Sequence, residues 1–344
     1  MQYELRQRVI EPQRRTFQNI IDRQGDRPAS RYEEGTLDVQ PTENFHYRPL
    51  WDPAHELYDE TFSVVRLTDS YSFRDPRQFY YAPYVTTRAA LHDAFGKTLS
   101  YLDERDLLAK LPAGWHSVMA SVLVPLRHYE SGAQLISVTG ARFAYGTSVE
   151  QCLSYSAFDR IGNAQMLSRI GITLAEGTAE LLGEAKQNWM TAPALQPLRR
   201  VVEELLVETD WVTSTIGLDL IDRQLYPLLY RHMDEAALMG GAGSYSLLGQ
   251  HFSTWFDDQR KWLDALIAEW VKDENHGTAN QEHLSQMVND WLPRAEDAVS
   301  AIAARIDADT AVDAVGYLAT QKRKVVEDLS ALGLRVRSGS EAGA

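Results

Sequence analysis

The spacing of apolar residues is the feature that most limits how this chain can fold. Between 114 and 137, Trp115, Val118, Val122, Leu126 and Tyr129 follow one another at intervals of three and four, which is the period of one helical face. A second stripe of this kind consists of Leu248, Phe252, Trp255, Trp262, Leu266 and Trp270. Strand-type alternation does not emerge anywhere in the sequence. The sequence therefore predicts an all-α fold built from long helices.

Breaks in this spacing predict where each helix begins and ends. Glycines and prolines at Leu111–Gly114 and Gly240–Gly243 mark connections. Helices are expected at 79–110, 115–137 (kinked at Pro125), 147–170, 174–188, 195–208 and 211–232. Three later helices are also expected: one ends near 272, the next is bent near Pro293, and the last covers 312–329. In the third helix, the face predicted to point inward carries Val149, Leu153, Ala157, Ile161, Ala164 and Leu167.

Three regions of different character divide the chain. Residues 1–76 contain recurring prolines and many aromatic rings, which predicts an extended arm with at most a short helix around Thr16–Arg23. Rings in such a segment must be covered by another surface, either the chain's own bundle or another subunit. Residues 77–335 form the predicted helical domain. Residues 336–344 lack apolar periodicity and are expected to be a disordered tail.

Charge and cysteine content exclude several classes of protein. The net charge is −14, which argues against nucleic acid or an anionic membrane as the main partner. A single cysteine, Cys152, excludes an intrachain disulfide framework and a cysteine-based metal cluster, and it favours a cytoplasmic setting. The polar, arginine-containing N-terminus predicts no signal peptide, and no apolar run is long enough for a membrane-spanning helix.

Metal-ligand spacings decide what this bundle could hold, because long helical bundles often contain a di-iron centre. Such a centre takes a Glu from each of two helices and a Glu-x-x-His pair from each of two others. Glu130 lies beside an apolar helical face, but the residue three positions on is Ala133. Only Glu43 with His46 has the required spacing; Asp52 with His55 and Asp273 with His276 are aspartate versions. None of these pairs is predicted in mid-helix, so the sequence predicts no metal site and no catalytic residue in this chain.

Other candidate groups have simpler structural interpretations. Neither a Gly-x-Ser-x-Gly motif nor a phosphate-binding glycine loop is present. We expect Cys152 to be a buried small apolar residue. His128 is expected to be a structural histidine, although it could reach a carboxylate across the bundle. Asp219 and Asp222 are expected to be solvated or paired with Arg223.

Aromatic clusters predict contacts between helices or between proteins, where Tyr and Trp are enriched. We predict a subunit interface in the arm and at the start of the first long helix. Its candidate residues are Phe45, Tyr47, Arg48, Trp51, Phe79, Tyr80, Tyr81 and Tyr84.

Several sequence segments resemble one known family. They are Asn44–Pro53 (NFHYRPLWDP) followed by His55-Glu56-Leu57, then Asp75–Tyr81 (DPRQFYY), Leu126-Arg127-His128 and Leu167–Gly171 (LSRIG). These segments closely resemble the β subunit of the hydroxylase component of bacterial multicomponent phenol hydroxylases. The resemblance is specific over residues 10–235; beyond Gly240 it rests on the helix order and the tryptophans.

The resemblance implies a ferritin-like long-helix bundle with additional C-terminal helices. It also implies an (αβγ)₂ assembly in which the di-iron centre belongs to the α subunit, none lies on this chain, and a regulatory protein and an NADH-dependent reductase bind transiently. We therefore expect a non-catalytic structural subunit of a phenol or related aromatic-ring monooxygenase. The alternatives are the β subunit of a related toluene or alkene enzyme, a self-sufficient metal-dependent oxidase with unconventional ligands, and a free-standing helical scaffold.

Overall fold

The computed structural model describes residues 16–40 and 55–337. Within these ranges the regular structure is helical and no strand forms. The short N-terminal helices are α1 (Gln18–Gln24) and α2 (Arg31–Thr36). The following helices are α3 (Tyr81–Glu104), α4 (Ala113–Val118), α5 (Leu126–Phe143), α6 (Thr147–Leu174), α7 (Glu180–Thr191), α8 (Gln196–Leu206), α9 (Trp211–Pro227), α10 (Met233–Met239), α11 (Gly243–Lys272), α12 (Gly277–Asp309) and α13 (Ala314–Ala331). The predicted all-α, ferritin-like bundle is confirmed.

A π-helical turn lies just before Pro125, where the sequence predicts a kink. Proline cannot donate a backbone hydrogen bond, and its ring collides with the preceding turn of an α-helix. The chain widens instead over Met119–Leu123, where the Val124 amide donates to the Met119 carbonyl at 2.9 Å. Helices α4 and α5 are thereby joined into one long element. A second π turn, Leu228–His232, lies on the other side of its proline, directly after Pro227, and joins α9 to α10.

Helix α9 occupies the centre of the bundle. It packs against α5, α8, α11, α12 and α13, and every residue of it except Thr213 is buried. A helix that is buried all round is normally apolar all round. Helix α9 departs from this rule at Asp219, Asp222, Arg223 and Gln224, which are all buried. These residues therefore need partners from the surrounding helices.

The helices after the Gly240–Gly243 connection complete the apolar core. Trp255, Trp262 and Trp270 on α11 are buried as the stripe predicted. Helix α11 packs on α3, α6 and α12, and α13 closes the bundle against α12 and α9. Helix α12 runs through Pro293 without a break in its helical span. None of the described helices combines the length and the apolar character needed to cross a bilayer.

The described part of the arm lies on the chain's own bundle. The Gln40 side chain donates to the Ala144 carbonyl and accepts from the Gly146 amide, at 2.9 and 2.7 Å. Phe62 stacks on Phe143 with ring centroids 4.2 Å apart, and Phe73 is fully buried in the core. The rings of the arm were expected to lie either on the chain's own bundle or on another subunit. Phe62 and Phe73 lie on the chain's own bundle.

Three local predictions need correction. The short N-terminal helix is α1, and α2 was not foreseen, although Ser30 and Glu33 form a capping box at its start. The helix expected at 174–188 begins later, at Glu180. Ile161 was assigned to the inward face of α6 but is half exposed, because Arg160 and Asn163 take the inward positions beside it.

Candidate functional site

A buried arginine between two carboxylates forms the centre of the bundle. Arg160 on α6 is fully buried, and so are Glu130 on α5 and Asp222 on α9. The Arg160 Nη1 atom lies 3.2 Å from Glu130 Oε2 and 3.2 Å from Asp222 Oδ1. The Nη2 atom donates to Asp222 Oδ2. One guanidinium thus holds together the consecutive helices α5 and α6 and the later helix α9.

Two tyrosines complete the hydrogen bonding of these carboxylates. The Tyr226 hydroxyl donates to Glu130 Oε1 at 2.5 Å, and the Tyr129 hydroxyl donates to Asp222 Oδ1 at 2.6 Å. Both tyrosines are buried. Each carboxylate therefore has a cationic partner and a phenol donor, which offsets much of the cost of removing it from water.

Aromatic rings surround the guanidinium. The Arg160 Cζ atom lies 4.6 Å from the centroid of the Trp255 ring and 5.8 Å from those of Tyr129 and Tyr226. At such distances a cation is attracted to the ring face, most strongly when both are shielded from water. We call Arg160, Glu130, Asp222, Tyr129 and Tyr226, with the ring of Trp255, the Arg160 cluster.

The charges of the Arg160 cluster are unevenly matched. Burial by itself would lower the pKa of Arg160, but Asp222 and Glu130 outweigh burial and hold it well above its ordinary value. Burial raises the pKa of Glu130 and of Asp222, because one guanidinium shared by two carboxylates offsets only part of their desolvation. The arginine is charged, and the two acids compete for it.

The Arg160 cluster does not suit a di-iron centre. The two carboxylates are already bound to the guanidinium, and the residue three positions after Glu130 is the buried Ala133 instead of a histidine. In the parts of the chain that the structure describes, no group of three or more histidine, cysteine or acidic side chains is placed to hold a metal. The residues present fit an internal cation supplied by the protein itself.

The interior beside Arg160 also lacks room for a substrate. The adjoining cavity, between α5, α6, α9 and α11, has a volume of about 10 Å³, which accommodates about one water molecule, whereas ligand pockets are far larger. An open cleft of about 1020 Å³ lies elsewhere, between α8 and α12. Its charged lining residues include the surface ion pairs Arg199–Glu203 and Arg200–Glu204, and the Arg160 cluster does not contribute to it.

A second set of charges connects the cluster to the start of α3. Asp159 accepts hydrogen bonds from Arg88, from Tyr84 and from the Trp255 indole, at 2.8, 2.9 and 3.0 Å. Arg88 also donates to Asp258 at 2.6 Å. Farther out, Arg77 pairs with Asp75 at 2.9 Å and stands 3.4 Å from Asp258. Trp255 contacts both sets, so the polar network extends from the arm to the middle of the bundle.

A third set binds α9 to α11 and α13. Asp219 pairs with Arg223 at 2.7 Å and with Arg260. Arg223 also contacts Asp264, and its carbonyl accepts from Gln321 at 2.6 Å. The predicted pairing of Asp219 with Arg223 is confirmed. The prediction for Asp222 is wrong, because Asp222 is buried and its partner is Arg160.

Two further residues behave largely as the sequence predicted. Cys152 is buried; burial raises the pKa of its thiol well above the ordinary value, and the nearby Asp75 adds to this effect. Within the described ranges His128 reaches no carboxylate, and its ring stacks on Trp189 with centroids 6.2 Å apart. Burial and the neighbouring Arg127 lower the pKa of His128 to about 4, so the ring is neutral near pH 7.

The predicted interface residues fall into three groups. Phe45, Tyr47, Arg48 and Trp51 lie outside the described residues, as do Glu43 and His46. Phe79 and Tyr84 are buried, with Tyr84 stacked on Tyr155 at 4.2 Å. Tyr80 is partly exposed, and Tyr81 is 72% exposed. Among the described members, Tyr81 thus offers the largest free surface.

Sequence reasoning missed Arg160 as the central residue. The signal available was a charged pair, Asp159-Arg160, in the middle of an otherwise suitable helix. The sequence also offered Asp273 and His276 as a possible metal pair. In the structure the Asp273 carboxylate accepts a hydrogen bond from the His276 backbone amide at 2.8 Å, just before α12 begins. His55 packs edge-on against Phe62.

The long packed helices and the buried carboxylates at their centre match a ferritin-like bundle. The chain belongs to the methane/phenol/alkene hydroxylase family, whose model matches residues 51–274. The resemblance to the β subunit of phenol hydroxylases is thereby supported over most of the chain, and so is the expectation of an oxidoreductase component.

Two phenol hydroxylase relatives match along nearly their whole length, and a toluene enzyme subunit matches over about seven tenths of its length. The phenol 2-monooxygenase oxygenase component DmpL of Pseudomonas sp. strain CF600 is 38% identical, covering 94% of this chain and 98% of the relative. The phenol hydroxylase of Pseudomonas sp. OX1, in a xenon-pressurised crystal structure, superposes with a TM-score of 0.88 at 34% identity, covering 97% of this chain and 100% of that one. The hydroxylase component subunit beta of toluene-4-monooxygenase from Ectopseudomonas mendocina is 20% identical, covering 69% of this chain and 72% of the relative.

Proposed function

We propose that this chain is the non-catalytic β subunit of a multicomponent phenol or related aromatic-ring monooxygenase. In this proposal it supports an α subunit that hydroxylates the substrate with O₂ and electrons from NADH. The similarity to a phenol 2-monooxygenase oxygenase component supports the reaction class. The similarity to a chain named as a hydroxylase component subunit beta supports the assignment as a β subunit.

One observation carries the non-catalytic role. In a chain of a hydroxylase family, the inward carboxylates Glu130 and Asp222 are bound to Arg160. The adjoining cavity is about the size of one water molecule. A catalytic centre would need free ligands for its metal and room for an aromatic ring. Neither requirement is met around Arg160.

The cofactor and the other partners follow from this role. We propose that the di-iron centre lies in the α subunit and that the hydroxylase is an (αβγ)₂ assembly. A regulatory protein and an NADH-dependent reductase would bind it transiently. The single, buried cysteine agrees with the proposed cytoplasmic location.

An exposed apolar surface is a suitable contact for another subunit. Tyr81 and Val85 lie one turn apart on α3 and are 72% and 40% exposed. Phe158 and Ile161 on α6 are 55% and 50% exposed. The Phe158 ring lies 6.4 Å from that of Tyr84, so the two pairs lie on helices that pack against each other. We call these four residues the α3–α6 patch. Large adjoining apolar groups on a surface are typical of protein contacts.

The proposal is tested by placing charge on the α3–α6 patch. Phe158→Asp and Tyr81→Asp should each weaken the complex with the α subunit about 30-fold or more, since interface anchors of this size often contribute about 2 kcal/mol. Both side chains are exposed, so the free variants should keep their helical circular dichroism and melting temperature. The measurement is co-purification of tagged chain with the large hydroxylase subunit, followed by titration.

The matched control is Val207→Asp, because Val207 is 78% exposed and lies in the loop between α8 and α9. This variant should bind the α subunit like the wild type. Wild-type affinity in both patch variants would contradict the assignment of this surface. Failure of the wild-type chain to bind any α-type subunit would contradict the proposed function as a whole.

A further inference from the structure

We propose that Arg160 is a built-in cation that takes the place of a metal at the centre of this bundle, and that the site around it is specific for a planar guanidinium group. This site, called the cradle below, consists of Glu130, Asp222, Tyr129, Tyr226 and the Trp255 ring. The inference concerns the interior of this chain alone. It goes beyond the proposed function, because it holds whether or not the chain supports a catalytic partner.

The position of Arg160 supports this inference first. In metal-holding bundles of this class, inward carboxylates from several helices converge on cations at the centre. Here Glu130 from α5 and Asp222 from α9 converge in the same manner, and the group between them is the Arg160 guanidinium from α6. The bundle keeps the converging acids and supplies the positive charge from its own side chain.

The shape of the cradle supports the inference next. A guanidinium is flat and donates along fixed in-plane directions, which suits carboxylates arranged at its edge. Glu130 and Asp222 meet the edge of the group, while the Trp255 ring lies 4.6 Å from Cζ. The tyrosine hydroxyls of Tyr226 and Tyr129 take further acceptor positions of the two carboxylates.

The same cradle is poor for a divalent metal. Divalent cations of biological bundles take four to eight nitrogen, oxygen or sulfur ligands. The cradle provides two carboxylates, both already bonded to tyrosine hydroxyls, and Ala133 stands where an imidazole would be expected. Removal of the arginine should therefore leave a cavity that prefers a free guanidinium ion over a metal ion.

Chemical rescue tests this directly in the full chain. Arg160→Ala should lower the melting temperature by roughly 5 °C or more, because it leaves two buried carboxylates without their cation. Guanidinium chloride at about 20 mM, far below denaturing concentrations, should then raise the melting temperature of R160A by about 2 °C. Neither sodium chloride at equal ionic strength nor methylammonium chloride should raise the melting temperature of R160A.

Two control proteins define the background of this experiment. The wild type has no vacancy, and Arg200→Ala removes an arginine that pairs with Glu204 on the surface, with an 81% exposed side chain. Neither should be stabilised by 20 mM guanidinium. A parallel series with manganese or ferrous ions should leave R160A unchanged. Stabilisation by either metal, or no rescue by guanidinium, would overturn the proposal.

A second comparison covers the case in which R160A does not fold. Arg160→Met alone should be strongly destabilised or unfolded. The triple variant Arg160→Met, Glu130→Gln, Asp222→Asn removes the uncompensated acids and should melt higher than the single variant. A triple variant no more stable than Arg160→Met would show that packing, and not charge, is what Arg160 supplies, and would overturn the proposal.

Discussion

At the scale of single residues, the interior of this protein depends on matching each buried charge with a fixed partner. Arg160, Arg88 and Arg223 all lie below one-tenth exposure, and each contacts two carboxylates. Such pairs are costly to bury, and they are costly to break once buried. A buried group without a charged partner should instead lose its charge.

His251 is such a residue, and it leads to a prediction about pH. It is buried on α11 beside His92 and 3.2 Å from Asn163 Oδ1. Burial, reinforced by His92, lowers the pKa of His251 from its ordinary value of 6.5 to about 3. Between these values the unfolded chain binds a proton that the folded chain does not. The stability that neutral His251 contributes is therefore present above pH 6.5. It is lost as the pH falls toward 3, and the free energy of unfolding falls by up to about 1.4 kcal/mol per pH unit.

The test compares the wild type with His251→Gln, which keeps a polar group near Asn163. We expect the free energy of unfolding of the variant to fall less steeply between pH 6.5 and pH 4. Urea unfolding at a series of pH values measures this difference. Parallel curves for the two proteins would contradict the assigned pKa shift.

At the scale of helices, the absence of a side chain at one glycine lets α5 and α8 pack closely. A Cβ atom added at Gly132 on α5 would lie 2.5 Å from Val202 Cγ1 on α8. Val202 is β-branched and buried, so it has little freedom to move aside. Gly132 is therefore required by the spacing of two helices and not by a turn.

Gly132→Ala should destabilise the chain by about 1–3 kcal/mol, the usual cost of overpacking a core. Adding Val202→Ala should recover part of the loss, since it removes the clashing methyl group. Gly183→Ala on α7 is the control: nothing lies within 4 Å of its added Cβ, and replacing an exposed helical glycine should stabilise by up to about 1 kcal/mol. Denaturant titrations measure the free energy of unfolding of each variant. Equal changes for Gly132→Ala and Gly183→Ala would contradict the conclusion that the spacing of α5 and α8 requires a glycine at 132.

The helices themselves could be predicted from sequence, whereas the cluster they enclose could not. The spacing of Trp255, Trp262 and Trp270 identified a buried face of α11 because burial and hydrophobicity coincide there. On α6 they do not coincide: Arg160 is buried and Ile161 is half exposed. Periodicity reports apolar character, and an arginine becomes an interior residue only when acids from other helices meet it. Those acids, Glu130 and Asp222, are 30 and 62 positions away.

At the scale of the whole molecule, the fold resembles a metal-binding bundle in which the Arg160 side chain, and not a metal ion, neutralises the central carboxylates. The described part of the arm is fastened to the same bundle through Arg77, Asp75 and Asp258, which continue the network of Arg88. The α3–α6 patch adjoins this network at Tyr84, which donates to Asp159 and whose ring lies 6.4 Å from that of Phe158. The arrangement agrees with a chain whose interior maintains structure while its surface serves assembly.

Iron analysis of the chain purified alone tests this account most directly. The chain is incubated with ferrous ions without oxygen, desalted and measured for iron per chain, beside the same chain in complex with the α subunit. We expect far less than one iron per isolated chain, and iron in the complex in proportion to the α subunit. Roughly two irons per isolated chain, the content of a di-iron bundle, would contradict the account.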